Sequence, residues 1–149
     1  MARRSDVRAI RAIMTPNPLT VRSDTTIERL RQLFETHDFN MFPVLDEKGV
    51  LRGVVTKLDV LKIYRPWSGR FTVNVRVLWA EHVEDIMSRG LTSVTPEEPV
   101  TTALTLMVNR RHRSIPVVQR RTRRPLLVGI VSRKDVLRSL PFGDSSGPA

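Results

Sequence analysis

The chain has 149 residues, of which 40% are hydrophobic and 27% are charged, as in an ordinary globular protein. It contains no cysteine, which excludes disulfides, thiol catalysis and zinc–thiolate sites, and its three histidines lack ligand spacing, so no metal site is expected. The formal net charge of +10 favours anionic partners: nucleotides, nucleic acid or an acidic protein surface. A polar N-terminus and the lack of a long apolar stretch predict a cytoplasmic protein without a membrane segment.

The first half of the chain predicts a β-α-β-β-α unit. Its first helix begins near Ile27, with Thr25 as the expected N-cap and Glu28 as the partner in a capping box. The hairpin that follows turns at Asp46-Glu47-Lys48-Gly49, where glycine suits a positive φ. The strands are predicted at 19–22, 41–45 and 50–56, and a closing helix at 57–64.

The segment from 65 to 82 predicts an additional element. Pro66-Trp67-Ser68-Gly69 is typical of a turn, and apolar residues alternate with others from Phe71 to Trp79, which is strand periodicity. A helix from Asn74 onward is the alternative. The aromatic residues of this connector, residues 65–82, indicate that it packs against a sheet edge, a second protomer or a cleft.

The second half predicts the same unit again. Thr95 is the expected N-cap of its first helix, with Pro96 at the first helical position and Glu98 at the third. The strands are predicted at 91–94, 114–119 and 126–132, and the closing helix at 133–140. The tail from 143 onward is expected to be disordered.

The two halves match in sequence as well as in pattern. The matching segments are Ile13-Met14-Thr15 with Ile86-Met87-Ser88, Phe42-Pro43-Val44 with Ile115-Pro116-Val117, and Gly53-Val54-Val55-Thr56 with Gly129-Ile130-Val131-Ser132. The first two pairs lie 73 residues apart and the third pair 76, so the second copy has three extra residues in one hairpin turn. Neither copy is large enough to bury its sheet alone, which predicts that the two pack together with matching clefts between them.

These repeated signals resemble the CBS domain, named after cystathionine β-synthase. The motifs that carry the resemblance are Ile-Met-Thr/Ser, apolar-Pro-Val and Gly-apolar-apolar-Thr/Ser-x-x-Asp, each present twice and in the same order between residues 12 and 140. The resemblance implies an α+β fold, sandwich-like, in which two β-α-β-β-α repeats pack around a pseudo-twofold axis. The expected boundaries are 1–64 for the first repeat with an N-terminal helix, 65–82 for the connector, 83–141 for the second repeat and 142–149 for the tail.

The resemblance also implies a function. Tandem CBS repeats form Bateman modules, regulatory and non-enzymatic, that bind AMP, ADP, ATP or S-adenosylmethionine as a ligand and need no other cofactor. A stand-alone pair of this kind is expected to form a homodimer and to act through an unidentified effector protein. The implied first cleft comprises Thr15, Leu19, Asn40, Met41, Ser132 and Asp135, and the implied second cleft Thr56, Asp59, Ser88, Leu91, Arg113 and Ser114.

Within each implied cleft the aspartate would hold the ribose hydroxyls, because a carboxylate accepts two hydrogen bonds at once and suits a vicinal diol. Arg113 can grip a phosphate, whereas its counterpart Asn40 carries no charge. We therefore expect unequal clefts, with the Arg113 side preferring the more phosphorylated ligand.

Two alternatives remain open from the sequence. Thr56-x-x-Asp59 and Ser132-x-x-Asp135 are also helix-capping sequences, and both roles can coexist. Arginines are concentrated between residues 110 and 124, and His112 among them is expected to be exposed. This cluster has three interpretations: a basic hairpin loop with a helix end, a phosphate site at Arg113, or a patch that docks nucleic acid or a partner. The last would make the chain a basic nucleic-acid-binding or scaffold protein with unoccupied CBS clefts.

Overall fold

A computed structural model of the chain describes residues 8–67, 69–73, 80–120 and 123–141. Short 3-10 turns at Ile10–Ala12 and Val83–Asp85 precede the two repeats. The elements in chain order are β1 (Thr15–Pro16), β2 (Val21–Arg22), α1 (Ile27–Thr36), β3 (Met41–Leu45), β4 (Leu51–Thr56), α2 (Lys57–Leu61), β5 (Tyr64–Trp67), β6 (Arg70–Val73), α3 (Val100–Arg110), β7 (Ser114–Gln119), β8 (Leu126–Ser132) and α4 (Arg133–Ser139).

Within the described ranges, each repeat is built on a three-stranded sheet. In the first, β2 pairs parallel to β3 and β3 antiparallel to β4, with Met41 opposite Thr56. In the second, β7 and β8 form the equivalent hairpin, with Ser114 opposite Ser132. The predicted hairpins are confirmed, and Gly49 has the positive φ (77°) that the first turn was expected to need. The predicted α+β fold with two repeats of one topology is confirmed.

The segments that precede each repeat, residues 8–16 and 81–88, are exchanged between the repeats, and we call them the leading segments. β1, from the first leading segment, pairs with β8 of the second repeat, with Thr15 opposite Ile130. In the second leading segment, Ser88 exchanges two backbone hydrogen bonds with Val54 of β4, at 2.9 and 3.0 Å. Each sheet is therefore extended by the leading segment of the other repeat.

The two hydrophobic cores show the same exchange. Ile10, fully buried, lies in the core of the second repeat, and Val83, fully buried, lies in the core of the first. The buried members of the first repeat's core are Val21, Leu30, Phe42, Val44, Val55, Val60 and Val83, and those of the second are Ile10, Val94, Val100, Ala103, Met107, Ile115, Val117, Val131 and Val136. Because each core needs residues from both halves, the halves fold as one unit.

The glycines of the repeated motif sit where the leading segments cross the sheets. A Cβ on Gly129 would lie 2.8 Å from the sulfur of Met14 and 3.0 Å from the carbonyl oxygen of Thr15. A Cβ on Gly53 would overlap the carbonyl oxygen of Ser88. Glycine is required at both positions because a neighbouring backbone approaches too closely for a side chain.

The leading segments also explain why the predicted start of the second repeat's first helix, α3, is wrong. The N–H of Val100, the first residue of α3, donates to the carbonyl of Arg8 at 2.9 Å, so backbone from the other repeat satisfies this helix end. Thr95 and Glu98 instead close a turn before the helix, through a 2.8 Å bond from the Thr95 N–H to the Glu98 carboxylate. The N-cap of α1 is Thr26, which accepts from the N–H of Arg29, rather than Thr25.

The first closing helix is shorter than predicted. It ends at Leu61, and Tyr64 belongs to β5, which pairs with β6 so that Trp67 lies opposite Arg70. The predicted strand is confirmed at its start, in Arg70–Val73. Positions 74–79, with the alternative helix, and the tail from 142 lie outside the described residues.

We predict that Gly129→Ala lowers the free energy of unfolding by about 1–3 kcal/mol, as overpacked substitutions do, because the new Cβ displaces β1 from β8. Gly90→Ala is the matched control, since a Cβ there meets no atom within 4 Å and the change should stay within about 0.5 kcal/mol. Urea unfolding of both variants measures this. Equal midpoints for the two would contradict the crossing as a packing constraint.

Candidate functional site

The first cleft lies where the first leading segment, the start of β3 and the β8–α4 junction meet. It is a cavity of about 780 Å³. All six residues assigned to it from the sequence line it, namely Thr15, Leu19, Asn40, Met41, Ser132 and Asp135. The structure thus gathers side chains from both repeats around one space large enough for a small ligand.

Asp135 has a defined geometry in this cleft. Its Oδ2 accepts from the N–H of Ser132 at 2.8 Å and from the Ser132 hydroxyl at 2.9 Å, while that hydroxyl accepts from the Asp135 N–H at 3.2 Å. This capping box starts α4 and fixes the carboxylate in place. Oδ1 accepts no hydrogen bond from any described residue, so a carboxylate oxygen remains available to a ligand.

The second cleft is the pseudo-twofold equivalent of the first, with a volume of about 520 Å³. Four of its six assigned residues line it: Thr56, Leu91, Arg113 and Ser114. Asp59 and Ser88 are not among the lining residues. The two clefts therefore share a backbone plan but differ in the side chains that line them.

Asp59 is held by the same capping box as Asp135. Its Oδ2 accepts from the Thr56 N–H at 2.8 Å and from the Thr56 hydroxyl at 3.0 Å. The capping role is confirmed for both copies of the motif. The ligand role is a separate question, and for Asp59 the cavity lining does not favour it.

The two clefts are separated by a shared wall, made of four residues. Asn40 and Met41 begin β3, and their counterparts 73 positions later, Arg113 and Ser114, begin β7; all four line both cavities. Arg113 thus belongs to both clefts, whereas the sequence assigned it to the second alone.

Among the lining residues that the sequence missed are the two that precede the shared wall in each cleft. Asp38 and Phe39 line the first cleft, and their counterparts 73 positions later, Arg111 and His112, line the second. The Phe39 ring is 44% exposed; it stacks parallel to the His37 ring at 5.5 Å and meets Phe42 edge-on at 5.8 Å. His112 is half-buried rather than exposed. The repeat offset could have found all four, because they directly precede the assigned wall residues.

The arginine-rich stretch does not form one patch in the structure. Arg110, Arg111 and Arg113 lie at one end of β7, and Arg120, Arg123 and Arg124 at the other, about 20 Å away by the rise of six strand residues. The second group borders a more open cavity of about 580 Å³ between the two hairpin turns. There, hydrogen bonds from the Val50 N–H and the Arg52 guanidinium hold the pKa of Asp46 below its usual value, so this carboxylate is already engaged in its turn.

In the described ranges, no three His, Asp or Glu side chains come together in a way that could hold a metal ion. No helix within those ranges is long and apolar enough to cross a membrane.

A family model for the CBS domain matches the chain twice, at residues 8–65 and 83–141. The chain belongs to the CBS domain family. The family accounts for the order of the motifs, for the exchange of leading segments and for the paired clefts of this CBS pair.

Individual relatives support the same assignment. L-aspartate semialdehyde sulfurtransferase of Methanocaldococcus jannaschii is 27% identical over 135 residues, which are 91% of this chain but 24% of that enzyme. The first relatives found are thus mostly longer proteins, of which this chain spans about a quarter.

Two solved structures show the same fold. CBSX2 in complex with AMP has a TM-score of 0.73 at 24% identity and covers 88% of this chain and 94% of its own. The CBS domain pair of protein MJ0100, in complex with 5′-methylthioadenosine and S-adenosylmethionine, has a TM-score of 0.70 at 25% identity and covers 89% of this chain and 94% of its own.

We predict that Ser132→Ala costs about 1 kcal/mol of stability, because the cap of α4 loses the hydroxyl that accepts from the Asp135 N–H. Thr105→Ala is the control: its hydroxyl bonds the Thr101 carbonyl inside a helix, where the loss should stay within about 0.5 kcal/mol. Thermal and urea unfolding compare the two. An identical small loss in both variants would show that the cap contributes nothing measurable.

Proposed function

We propose that this CBS pair is a regulatory module that binds an adenosine-containing ligand, such as AMP, ADP, ATP or S-adenosylmethionine, in the first cleft. The observation that carries the proposal is the convergence of Asp135, Ser132 and Thr15, from two distant parts of the chain, on one cavity of about 780 Å³. The capping box explains how the Asp135 carboxylate is fixed, and its place in the cavity lining is what favours a ligand role in addition.

The cleft offers a complementary group for each part of an adenosine. The free Oδ1 of Asp135, beside the hydroxyl of Ser132, suits the ribose diol. The partly exposed Phe39 ring, which lines the cavity, suits apolar contact with a purine base. Arg113 on the shared wall suits a phosphate or carboxylate on the same ligand.

The comparisons support this ligand class without identifying the ligand. The CBS pair of MJ0100, one quarter identical to this chain, was solved with 5′-methylthioadenosine and S-adenosylmethionine, both of which contain adenosine. A second structure of that pair with the same two ligands is 27% identical over its aligned part. What the longer relatives catalyse belongs to parts that this chain does not match.

The proposed role is regulatory rather than catalytic, in the cytoplasm and without a required cofactor. A ligand that binds one arrangement of the two repeats more tightly shifts the population toward that arrangement, and an effector protein that prefers it then binds more tightly. The second cleft, with Thr56, Leu91 and Ser114, is proposed as a further site of the same module.

The competing function is a basic scaffold or nucleic-acid-binding protein. The net charge of +10 favours it, but the separation of the arginines to opposite ends of β7 leaves no continuous basic surface in the described ranges. The two functions differ in salt dependence, because binding many phosphates weakens steeply with salt, whereas a pocket that grips base and ribose weakens modestly.

We predict that calorimetry against AMP, ATP, S-adenosylmethionine and 5′-methylthioadenosine finds at least one ligand whose affinity Asp135→Asn weakens about ten- to hundredfold, as lost hydrogen bonds to a charged group do. Asp59→Asn is a matched control, since Asp59 forms the same capping box but does not line its cleft. It should leave the affinity for that ligand unchanged.

Equal losses from Asp135→Asn and Asp59→Asn would show that the carboxylates act through the caps alone, and the ribose assignment would fail. No binding of any of the four ligands by a folded parent protein would overturn the proposed function. Steeply salt-dependent binding of nucleic acid in their place would support the scaffold.

We also propose that two copies of the chain associate through their helices. Val108 on α3 and Leu137 on α4 are 67% and 64% exposed, on two helices that pack against each other. Exposed apolar side chains on neighbouring helices are typical of an interface, and twofold homodimers are the commonest assembly.

We predict that the double variant Val108→Glu with Leu137→Glu is monomeric by light scattering at concentrations where the parent is a dimer, because it places charges in the proposed interface. Leu126→Glu, at a 41% exposed leucine on β8, should remain dimeric. A parent protein that is monomeric throughout would contradict the proposed dimer.

A further inference from the structure

The second cleft differs from the first in charge, although the backbone of the two is equivalent. Among the described residues, the second cleft is lined by the cations Lys57, Arg111 and Arg113 and by no carboxylate. The first cleft has an acidic residue, Asp38, at the position equivalent to Arg111, and its aspartate Asp135 also lines the cavity. The same position is therefore acidic in one cleft and basic in the other.

The cations of the second cleft are not neutralised by the protein. The side chains of Lys57, Arg111 and Arg113 form no hydrogen bond or ion pair with any described residue. Like charges around a concave, partly apolar cavity raise its positive potential and attract anions into it. Leu58 and Leu61 line the same cavity and make part of its surface apolar.

The basic segment is held in place by a dedicated contact. The Arg133 guanidinium donates to the carbonyl oxygens of His112 and Arg111, both at 3.0 Å, and the Arg133 N–H donates to the carbonyl of Arg113, also at 3.0 Å. Arg111 itself adopts a left-handed conformation, with φ of 56°. Three consecutive carbonyls bound by one residue fix the backbone of this segment, so that a ligand does not have to order the main chain from which the arginines project.

The group that would recognise a nucleoside is missing from this cleft. Asp59, the counterpart of Asp135, does not line the cavity, and His112 stands where the first cleft has Phe39. The second cleft thus has the charge for a phosphate chain but lacks the carboxylate that would hold a ribose.

We propose that the second cleft is a site for a polyphosphate group, recognised by its charge and not by an attached nucleoside. The chemical class is an inorganic di- or triphosphate, or the triphosphate part of a larger anion. Lys57 and Arg111 hold the outer phosphates, and Arg113 on the shared wall holds the innermost. This assignment rests on the proposed function in one respect, namely that both clefts belong to one regulatory module. The two clefts of that module are then selective for different ligands.

Inorganic tripolyphosphate, titrated calorimetrically into the full chain at about 0.15 M salt, tests the proposal, since that salt screens diffuse attraction beyond about 8 Å. We expect one tripolyphosphate per chain, and about tenfold weaker binding in Lys57→Gln and in Arg111→Asn, the loss expected for one charge-assisted contact. Asparagine tolerates the left-handed conformation at position 111, so this variant keeps the backbone.

Lys134→Gln is the matched control, because Lys134 lines the first cleft and its loss changes the net charge by the same amount. It should leave tripolyphosphate affinity unchanged, as should saturation of the first cleft with uncharged 5′-methylthioadenosine. If Lys134→Gln and Lys57→Gln weaken tripolyphosphate binding equally, the binding depends only on the net charge of the protein, and the proposal is overturned. Absence of tripolyphosphate binding would overturn it too.

The outcomes also separate this site from the proposed function. Binding of 5′-methylthioadenosine that depends on Asp135, without tripolyphosphate binding, would leave the nucleoside cleft standing and remove the polyphosphate site. Tripolyphosphate binding that depends on Lys57, without any nucleoside binding, would do the reverse.

Discussion

The exchange of leading segments is the constraint on which the rest of this structure depends. Each sheet accepts backbone from the other repeat, and that backbone crosses the sheet at Gly53 or Gly129, where a side chain would not fit. The same segments supply Ile10 and Val83 to the opposite cores and carbonyls to the first N–H groups of α1 and α3. Since the crossing brings residues near Thr15 against the β8–α4 junction, it also creates the clefts: the packing that stabilises the pair builds its sites.

Duplication with exchange makes two cavities of equivalent backbone, and side chains at a few positions then decide what each can hold. The wall residues correspond one to one between the two clefts. At the two positions before them, however, the first cleft has Asp38 and Phe39 where the second has Arg111 and His112. None of these four residues belongs to the buried set of either core, although Phe39 contacts the core residue Phe42. The chemistry of the two clefts was therefore free to diverge while the fold was retained.

Much of the fold could be predicted from the sequence, because its signals are local. Hairpin strands, helix periodicity and the turn at Gly49 each follow from a few neighbouring residues, and all are found in the structure. The start of α3 was predicted wrongly because the group that caps this helix, the carbonyl of Arg8, lies over 90 residues away in the chain. The six residues assigned to the first cleft all line it, but Phe39 was missed, since an isolated aromatic beside a core phenylalanine gives no local sign of lining a cavity. The separation of the arginines into two groups depends on the length of β7, which lies between them, and the composition of this stretch does not give that length.

The shared wall makes the two clefts energetically dependent on each other. Asn40, Met41, Arg113 and Ser114 line both cavities, so a ligand that moves or neutralises the wall on one side alters the surface offered on the other. Arg113 can direct its charge into one cleft or the other, and a phosphate that holds it on one side removes it from the second. Thermodynamic linkage requires this effect to be reciprocal: if the first ligand changes the affinity for the second, the second changes the affinity for the first by the same factor. A single arginine between two otherwise separate pockets is thus sufficient to couple them, without any rearrangement of the repeats.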